Sequence, residues 1–310
     1  MRRHLAYVLS TTLLLTGCGS STPAPTLPQD QNLQRYQRAG QSAYTLGRPE
    51  EAIAQYRLAL TQAEARDDLP AIGNLSFNLA AAQLQANQPD AALQTARSAR
   101  SELNRRGAAP LAGLDLVEAT ALYRTGDATT ADSMAVKLQG GSDAEISAAA
   151  SFLRGLIADD RHDAAGLGAA STALQQGIAA TASITDPAKT LTLRPAQQAD
   201  ALELQARLAR QQGDYGGAQT LALQAADQRR LVIDYRGLAR ALSVAANAAH
   251  QAKKPEAADL YLRAGRSAAA QGDRTAAEAW LKQALELSQD SAVTAAAQQA
   301  LAALAQPPAN

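Results

Sequence analysis

Apolar residues along most of the chain recur every three or four positions, which is the spacing of one face of an α-helix. Segments with this period follow one another from residue 33 to residue 305, separated by short polar breaks. Alternating β-branched and aromatic runs, which would indicate strands, are essentially missing from the sequence. The pattern therefore predicts an all-α fold.

The predicted helices come in pairs with a turn residue inside each pair. Gly47, Asn87 and Gly126 occupy this place in the first three pairs and are 40 and 39 residues apart. Glycine and asparagine are suited to it because they tolerate the left-handed conformation that ends a helix. The recurrence predicts an array of helical hairpins.

The clearest hairpin places Gly40 where two helices would cross and Ala52, Tyr56 and Ala59 in one apolar stripe after Gly47. This arrangement resembles the tetratricopeptide repeat. The resemblance implies a right-handed α-solenoid of about seven helical hairpins over residues 33–305, ending in a capping helix. Since the usual repeat is about 34 residues long, the wider spacing here resembles the extended variety found in kinesin light chains.

The N-terminus has the pattern of an export signal. Arg2 and Arg3 precede an apolar stretch over residues 5–15, which is too short to cross a bilayer. The tetrad Leu15-Thr16-Gly17-Cys18 resembles the lipobox of bacterial lipoproteins, and it ends in the only cysteine of the chain. The resemblance implies that residues 1–17 are removed and that Cys18 carries a diacylglyceryl group and an N-acyl chain.

The resemblance also implies a location. Gly19 and Ser20 follow Cys18, and neither is the aspartate that retains enterobacterial lipoproteins at the inner membrane. We therefore expect a lipid anchor on the periplasmic face of the outer membrane, because two or three acyl chains give stable attachment. The membrane would be contacted through this anchor alone.

Three segments break the helical rhythm. Residues 18–32 form the lipidated N-terminus and a tether rich in Pro, Ser and Thr, and residues 306–310 read as a disordered tail. Residues 178–193 carry several threonines and an Asp186-Pro187 break, which indicates either an irregular hinge or a loop that contacts a partner. Pro195 is expected near a helix start, where a missing N–H costs little.

Little in the chain points to catalysis. Its 29 basic and 29 acidic residues give no excess positive charge for nucleic acid. His162 lies in an acidic stretch that reads as a solvated turn, and His250 lies at a predicted helix end. Residues 166–171 are glycine-rich but follow no strand, so they do not predict a phosphate site. We expect no enzyme activity, no metal, no cofactor beyond the lipid and no small-molecule substrate, with a hydrolase as a distant third function.

The family resemblance places the first helix of each pair on a concave wall and so yields candidate groove residues for an extended peptide or a partner helix. Asn78 matches the groove asparagine that holds a peptide backbone in related proteins. Phe77 and Leu84 could instead seal neighbouring helices. Glu203, Arg207 and Arg210 could clamp a carboxylate or pair with one another along one helix face. The full set is Gln37, Gln41, Tyr44, Asn74, Phe77, Asn78, Leu84, Leu116, Thr120, Tyr123, Glu203, Arg207 and Arg210.

These features predict a lipid-anchored scaffold or adaptor for protein–protein interactions in the bacterial cell envelope. The alternative is a pilotin-like carrier that escorts a secretion or pilus component to the outer membrane. Adaptor binding would survive loss of lipid at Cys18, whereas carriage would not.

Overall fold

A computed structural model describes residues 30–181 and 187–305, and fourteen α-helices and no strands occupy these residues. The first seven helices are α1 (Gln31–Thr45), α2 (Pro49–Ala65), α3 (Leu69–Gln85), α4 (Pro89–Arg105), α5 (Ala112–Arg124), α6 (Ala128–Gln139) and α7 (Ala144–Asp160). The others are α8 (Ala164–Thr181), α9 (Pro187–Gln211), α10 (Tyr215–Leu231), α11 (Tyr235–Gln251), α12 (Ala257–Ala269), α13 (Arg274–Leu287) and α14 (Ser291–Ala305). The predicted all-α solenoid of about seven hairpins is confirmed.

Consecutive helices pack as antiparallel hairpins, and the hairpins stack in chain order. The odd-numbered helices from α3 to α11 also contact one another directly, while the even-numbered helices up to α10 do so much less. In a curved stack the inner layer is the more closely spaced one. The odd-numbered helices from α3 to α11 therefore form the concave wall. We assign α1, the first helix of the first hairpin, to the same layer.

The helix boundaries follow from residues that the chain supplies locally. Gly47, Asn87 and Gly126 adopt positive φ angles of 67°, 59° and 99°, as the turn pattern predicted. Asp68 immediately precedes α3 and caps it, because its carboxylate accepts a hydrogen bond from the backbone N–H of Ala71 at 3.1 Å. Aspartates at this position satisfy an N–H group that the helix leaves unpaired.

The core is built mainly from alanine and leucine, so the helices lie close together. Gly40 on α1 faces the ring of Tyr56 on α2, and a Cβ at residue 40 would lie 2.8 Å from two ring carbons. Gly265 faces Leu281 in the same way, since a Cβ there would lie 2.6 Å from Cγ of the leucine. Small residues at these crossings confirm the steric role expected from the repeat.

The stack changes register near its C-terminal end. Helix α12 packs against α11 as the second helix of one hairpin and against α13 as the first helix of the next. Beyond this point α14 contacts α12, which is an even-numbered pair.

Several expectations about irregular segments need revision. Within the segment 178–193, residues 178–181 belong to α8 and residues 187–193 to α9, which leaves only 182–186 outside the described residues. The placement of Pro195 near a helix start was wrong, because it lies inside α9. Helix α1 begins at Gln31, inside the segment assigned to the tether.

The signal sequence, Cys18 and the tail 306–310 lie outside the described residues. Within the described ranges, every helix is either too short or too polar to span a bilayer.

The curvature of the stack brings its first hairpin to a distant turn. A Cβ at Gly47 would lie 3.2 Å from Cγ2 of Ile233 and 3.4 Å from Cε2 of Tyr235. Gly47 joins α1 to α2, and Ile233 lies between α10 and α11. Contacts so far apart in sequence close one edge of the concave wall, and we call this contact region the seam.

Candidate functional site

The first part of the concave wall, formed by α1, α3 and α5, presents amide side chains and is called here the N-terminal wall. Gln37 and Asn74 are exposed and Asn78 is half-buried. Within the described residues none of these three side chains makes a hydrogen bond, while Gln41 accepts one from the Tyr56 hydroxyl at 3.2 Å. Each free amide can therefore both donate to and accept from a ligand.

The larger candidates on this wall also pack between helices. Leu84 is buried, and Phe77 is half-buried with its ring so close to Gly113 that a Cβ there would lie 2.9 Å from it. Both residues belong to the apolar cluster shared by α3, α4 and α5. The sealing role left open by the sequence is thus the one that their contacts favour.

The other candidates of these helices are engaged in part. The Tyr123 hydroxyl donates to Oδ2 of Asp160 at 2.6 Å, and burial together with this carboxylate raises the pKa of Tyr123. The Thr120 hydroxyl donates to the Leu116 carbonyl at 2.8 Å within α5, and Leu116 packs toward α6 and α7. Tyr44 is half-buried and packs against the first hairpin, and burial raises its pKa.

The second part of the wall, formed by α7, α9 and α11, is called the C-terminal wall and contains an ion-pair cluster. At its centre Glu203 has no exposed surface. Arg240 donates to both of its carboxylate oxygens, at 2.6 and 3.1 Å, and Arg207 donates to Oε1 at 2.9 Å. Arg229, from the end of α10, approaches Oε2 at 3.4 Å.

A second buried carboxylate extends the same cluster. Asp159, at the end of α7, accepts from Arg207 at 2.6 Å and from Arg210 and Gln211 at 2.7 Å each. Arg207 therefore joins the two carboxylates. Of the three charged candidates, Glu203 and Arg207 pair with each other along α9, which is the alternative to a clamp that the sequence left open. Arg210 pairs instead with Asp159 on α7.

The arginines of the cluster also cover an aromatic ring. The guanidinium carbons of Arg240 and Arg229 lie 5.2 and 5.7 Å from the centre of the Phe152 ring, within the range of a cation–π interaction. Phe152 projects from α7, so this contact ties three helices together. The ring adds apolar cover to the buried charges.

The charges in the cluster shift one another's pKa values. Burial alone would raise the pKa of Glu203, but the attraction of Arg240 and Arg207 outweighs it and lowers the value to about 2. For Arg207, burial opposes the charged form, while Glu203 and Asp159 raise the pKa. Glu203 and Arg207 are therefore both charged at neutral pH, and their ion pairs hold the helices of the cluster together.

Sequence reasoning missed Phe152, Asp159, Arg229 and Arg240. Asp159 lies in the last turn of α7, on the same face as Phe152, seven residues earlier. That spacing is the one signal that could have found it. Arg229 and Arg240 lie on other helices, so only the tertiary structure brings them to Glu203.

The residues that the sequence placed outside any chemistry lie apart from this cluster. His162 is exposed in the turn after α7 with a φ of 55°, and Asp163 accepts from the N–H of Gly166 at 2.9 Å as a helix cap. No group of three or more His, Cys, Asp or Glu residues suited to a metal ion occurs in the ranges 30–181 and 187–305.

Comparisons with known proteins identify the repeat. The model of the tetratricopeptide repeat family matches residues 33–66, which span α1 and α2, and residues 258–291, which span α12 and α13. The second match treats α12 as a first helix, in agreement with the change of register. No curated protein sequence matches the chain.

Solved structures with similarity to the chain include two tetratricopeptide repeat proteins. One, from Parabacteroides merdae ATCC 43184, shares 16% identity over 88% of this chain and all of its own length, with a TM-score of 0.43. The other is the TPR2AB domain in a pHSP90 complex of yeast Sti1, with 15% identity over 88% of this chain and 98% of its own, at a TM-score of 0.32.

The sequence matches and the packed hairpins together settle the fold. The chain contains tetratricopeptide repeats within an all-α solenoid.

Proposed function

We propose that this chain is a lipid-anchored adaptor of the bacterial cell envelope that binds an extended peptide or a helix of a partner protein on its N-terminal wall. Tetratricopeptide repeats generally serve as interaction scaffolds rather than as enzymes. The envelope location and the lipid rest on the sequence around Cys18.

The observation that carries this proposal is the row of unused amides. Gln37, Asn74 and Asn78 lie on the first helices of the first two hairpins and keep their donors and acceptors free within the described chain. A peptide backbone offers the matching acceptors and donors, so such a surface can hold it without selecting its charge. Contact of the same kind with the C-terminal wall would first require breaking ion pairs.

The test is co-purification from cells after changing the amides alone. Asn74→Ala together with Asn78→Ala is expected to abolish recovery of the partner, because it removes the amides that would hold the partner's backbone. The fold itself should be unaffected, since neither side chain has a hydrogen-bond partner within the described residues. Arg57→Met on α2, an exposed side chain on the outer layer, is the matched control and is expected to keep it. Equal recovery from both variants would contradict binding at the N-terminal wall.

Phe77→Ala is not a suitable probe of this surface. Its ring packs in the cluster of α3, α4 and α5, so its removal would lower stability as well as any binding. The amide variants separate these two effects.

The alternative is a pilotin-like carrier, which the signal pattern at Cys18 keeps open. A Cys18→Ala variant cannot receive the lipid. If the partner still reaches its site, the adaptor proposal is supported and carriage is contradicted. If the partner then fails to reach its site although it still binds the variant, carriage is the better account.

A further inference from the structure

The seam encloses a crevice of about 490 Å³ that the proposed groove binding does not use. Its walls come from the turn after α1, the end of α3, the start of α11 and the end of α12. Because these elements are distant in sequence, the crevice exists only when the stack has curved back onto its first hairpin. Its volume lies in the range of pockets that bind small ligands or a few side chains.

The crevice contains polar groups with no partner. Nη1 of Arg236 donates to Oδ2 of Asp273 at 2.8 Å, but Nε and Nη2 of Arg236 are buried without an acceptor in the described chain. Oε1 of Gln85, another lining residue, is likewise buried without a donor. Buried donors of a charged group are costly to leave unpaired, so an incoming acceptor would be favoured.

A further arginine lies behind this wall. Arg124 donates to the Leu84 carbonyl at 2.6 Å, directly beside Gln85. The loss of water around its guanidinium lowers the pKa of Arg124, and the charges of Arg236 and Arg240 lower it further. Glu50 and Asp234 also line the crevice and oppose an added negative charge. A carboxylate ligand would therefore depend on the unpaired donors of Arg236.

The rim of the crevice is apolar and strained. Ile233 and Tyr235 line the crevice, and Tyr235 is 49% exposed. Ile233 has a φ of 57°, whereas the other left-handed turn positions hold Gly, Asn, Asp, His or Lys. A β-branched residue in this region is an outlier, and such strain is concentrated at functional sites.

We propose that the seam crevice binds an extended partner segment that carries a carboxylate side chain next to leucine-type side chains. The carboxylate accepts from Nε and Nη2 of Arg236 after a rotation of the guanidinium on its flexible stem. A backbone N–H of the segment donates to Oε1 of Gln85. The leucine side chains cover Ile233 and Tyr235, so the segment fills both the charged and the apolar parts of the site.

The experiment uses fluorescence polarisation with the lipid-free protein and the labelled peptide Gly-Ser-Leu-Asp-Leu-Ser-Gly, blocked as an amide. The matched probe carries Asn in place of Asp. The Asp probe is expected to bind about tenfold or more tightly than the Asn probe, because one charged hydrogen-bonded contact is removed. Equal binding of the two probes, or no saturable binding of the Asp probe, would overturn the proposal.

Variants locate the binding. Arg236→Met is expected to remove the preference for the Asp probe, and Tyr235→Ala is expected to weaken both probes alike. Arg57→Met is the control that keeps the wild-type preference. Asp273→Asn removes the partner of Arg236 but leaves its donors, so it should bind the Asp probe as tightly as the wild type or more tightly.

The remaining outcomes are also decisive. If Asp273→Asn loses binding as Arg236→Met does, the effect is a loss of structure and the proposal fails. Self-association that Tyr235→Ala abolishes would instead make a second copy of the chain the occupant of the seam. Asn74→Ala with Asn78→Ala should leave probe binding unchanged, so failure at the seam is distinguishable from failure of the proposed groove function.

Discussion

The two parts of the concave wall differ in what their polar side chains do. On the N-terminal wall the free amides of Gln37, Asn74 and Asn78 face solvent or lie half-buried without partners in the described chain. On the C-terminal wall Glu203 and Asp159 are buried, and arginines from three helices donate hydrogen bonds to their carboxylate oxygens. The same layer of one solenoid thus offers binding capacity at one end and internal cohesion at the other.

The physical difference lies in the cost of making a new contact. A ligand at the N-terminal wall replaces water at exposed amides, which costs little. A ligand at the C-terminal wall would have to separate buried charges, and removing one partner of such a pair is strongly unfavourable. Polar residues on a concave wall are therefore not equivalent as candidates, even when a repeat pattern gives them the same position.

The largest expected effect comes from Glu203→Gln. The change leaves Arg207, Arg229 and Arg240 without their shared carboxylate, and breaking a buried ion pair from one side costs about 3–5 kcal/mol. Urea denaturation followed by circular dichroism measures the loss. The control is Glu278→Gln, whose pair with Lys282 is exposed and screened by water, so its loss of stability should be much smaller. Equal stability of the two variants would contradict the cohesive role of the C-terminal wall.

Gly40→Ala tests the different way in which the first hairpin is held together. The added Cβ would meet the Tyr56 ring at 2.8 Å, and such overpacking costs about 1–3 kcal/mol. Gly168→Ala in α8 is the matched control, since nothing lies within 4 Å of its added Cβ. Alanine there should stabilise by about 0.5–1 kcal/mol because of its higher helix propensity. If Gly168→Ala were destabilised, or if Gly40→Ala were not, the close packing of α1 against α2 at Gly40 would be contradicted.

The acid response should report the C-terminal wall specifically. In the folded chain the pKa of Glu203 is lowered from 4.5 to about 2, because the surrounding arginines stabilise its ionised form. Ionised Glu203 therefore adds to the stability of the fold. This contribution is fully present above pH 4.5 and is lost as the pH falls toward 2. Unfolding free energies measured across that window should fall less steeply in Glu203→Gln than in the wild type. Parallel slopes would contradict the assignment.

The smallest expected effect on stability belongs to the amides. Asn74→Ala with Asn78→Ala should change the free energy of unfolding by about 0.5 kcal/mol or less per site, because surface side chains without partners contribute little. Thermal unfolding measures this. A loss as large as that of Glu203→Gln would mean that both walls are structural.

The sequence was sufficient for the features that depend on local spacing. Helix periodicity, the turns at Gly47 and Asn87 and the small residue at Gly40 each depend on neighbours within one hairpin, and the structure confirms them. Pro195 was misplaced because the threonines and the Asp186-Pro187 break before it were taken as a long irregular segment. A proline inside a helix gives no separate local signal.

The sequence was insufficient wherever distant elements meet. Glu203 pairs with Arg240 across 37 residues, and Asp159 pairs with Arg207 across 48. Gly47 meets Ile233 only after the stack has curved through most of its hairpins. These contacts depend on the curvature of the whole stack, which no single repeat encodes. The sequence could therefore predict candidate groove residues, but it could not separate the N-terminal wall from the C-terminal wall.

The most direct test of the account is site-specific photo-crosslinking in cells, with a photoreactive amino acid placed in turn at Gln37, at Asn74 and at Arg57. All three positions are exposed, but the first two lie on the N-terminal wall and the third on the outer layer. The account predicts a common adduct from positions 37 and 74 and none from position 57. An adduct from position 57 alone, or none from 37 and 74, would contradict binding at the N-terminal wall.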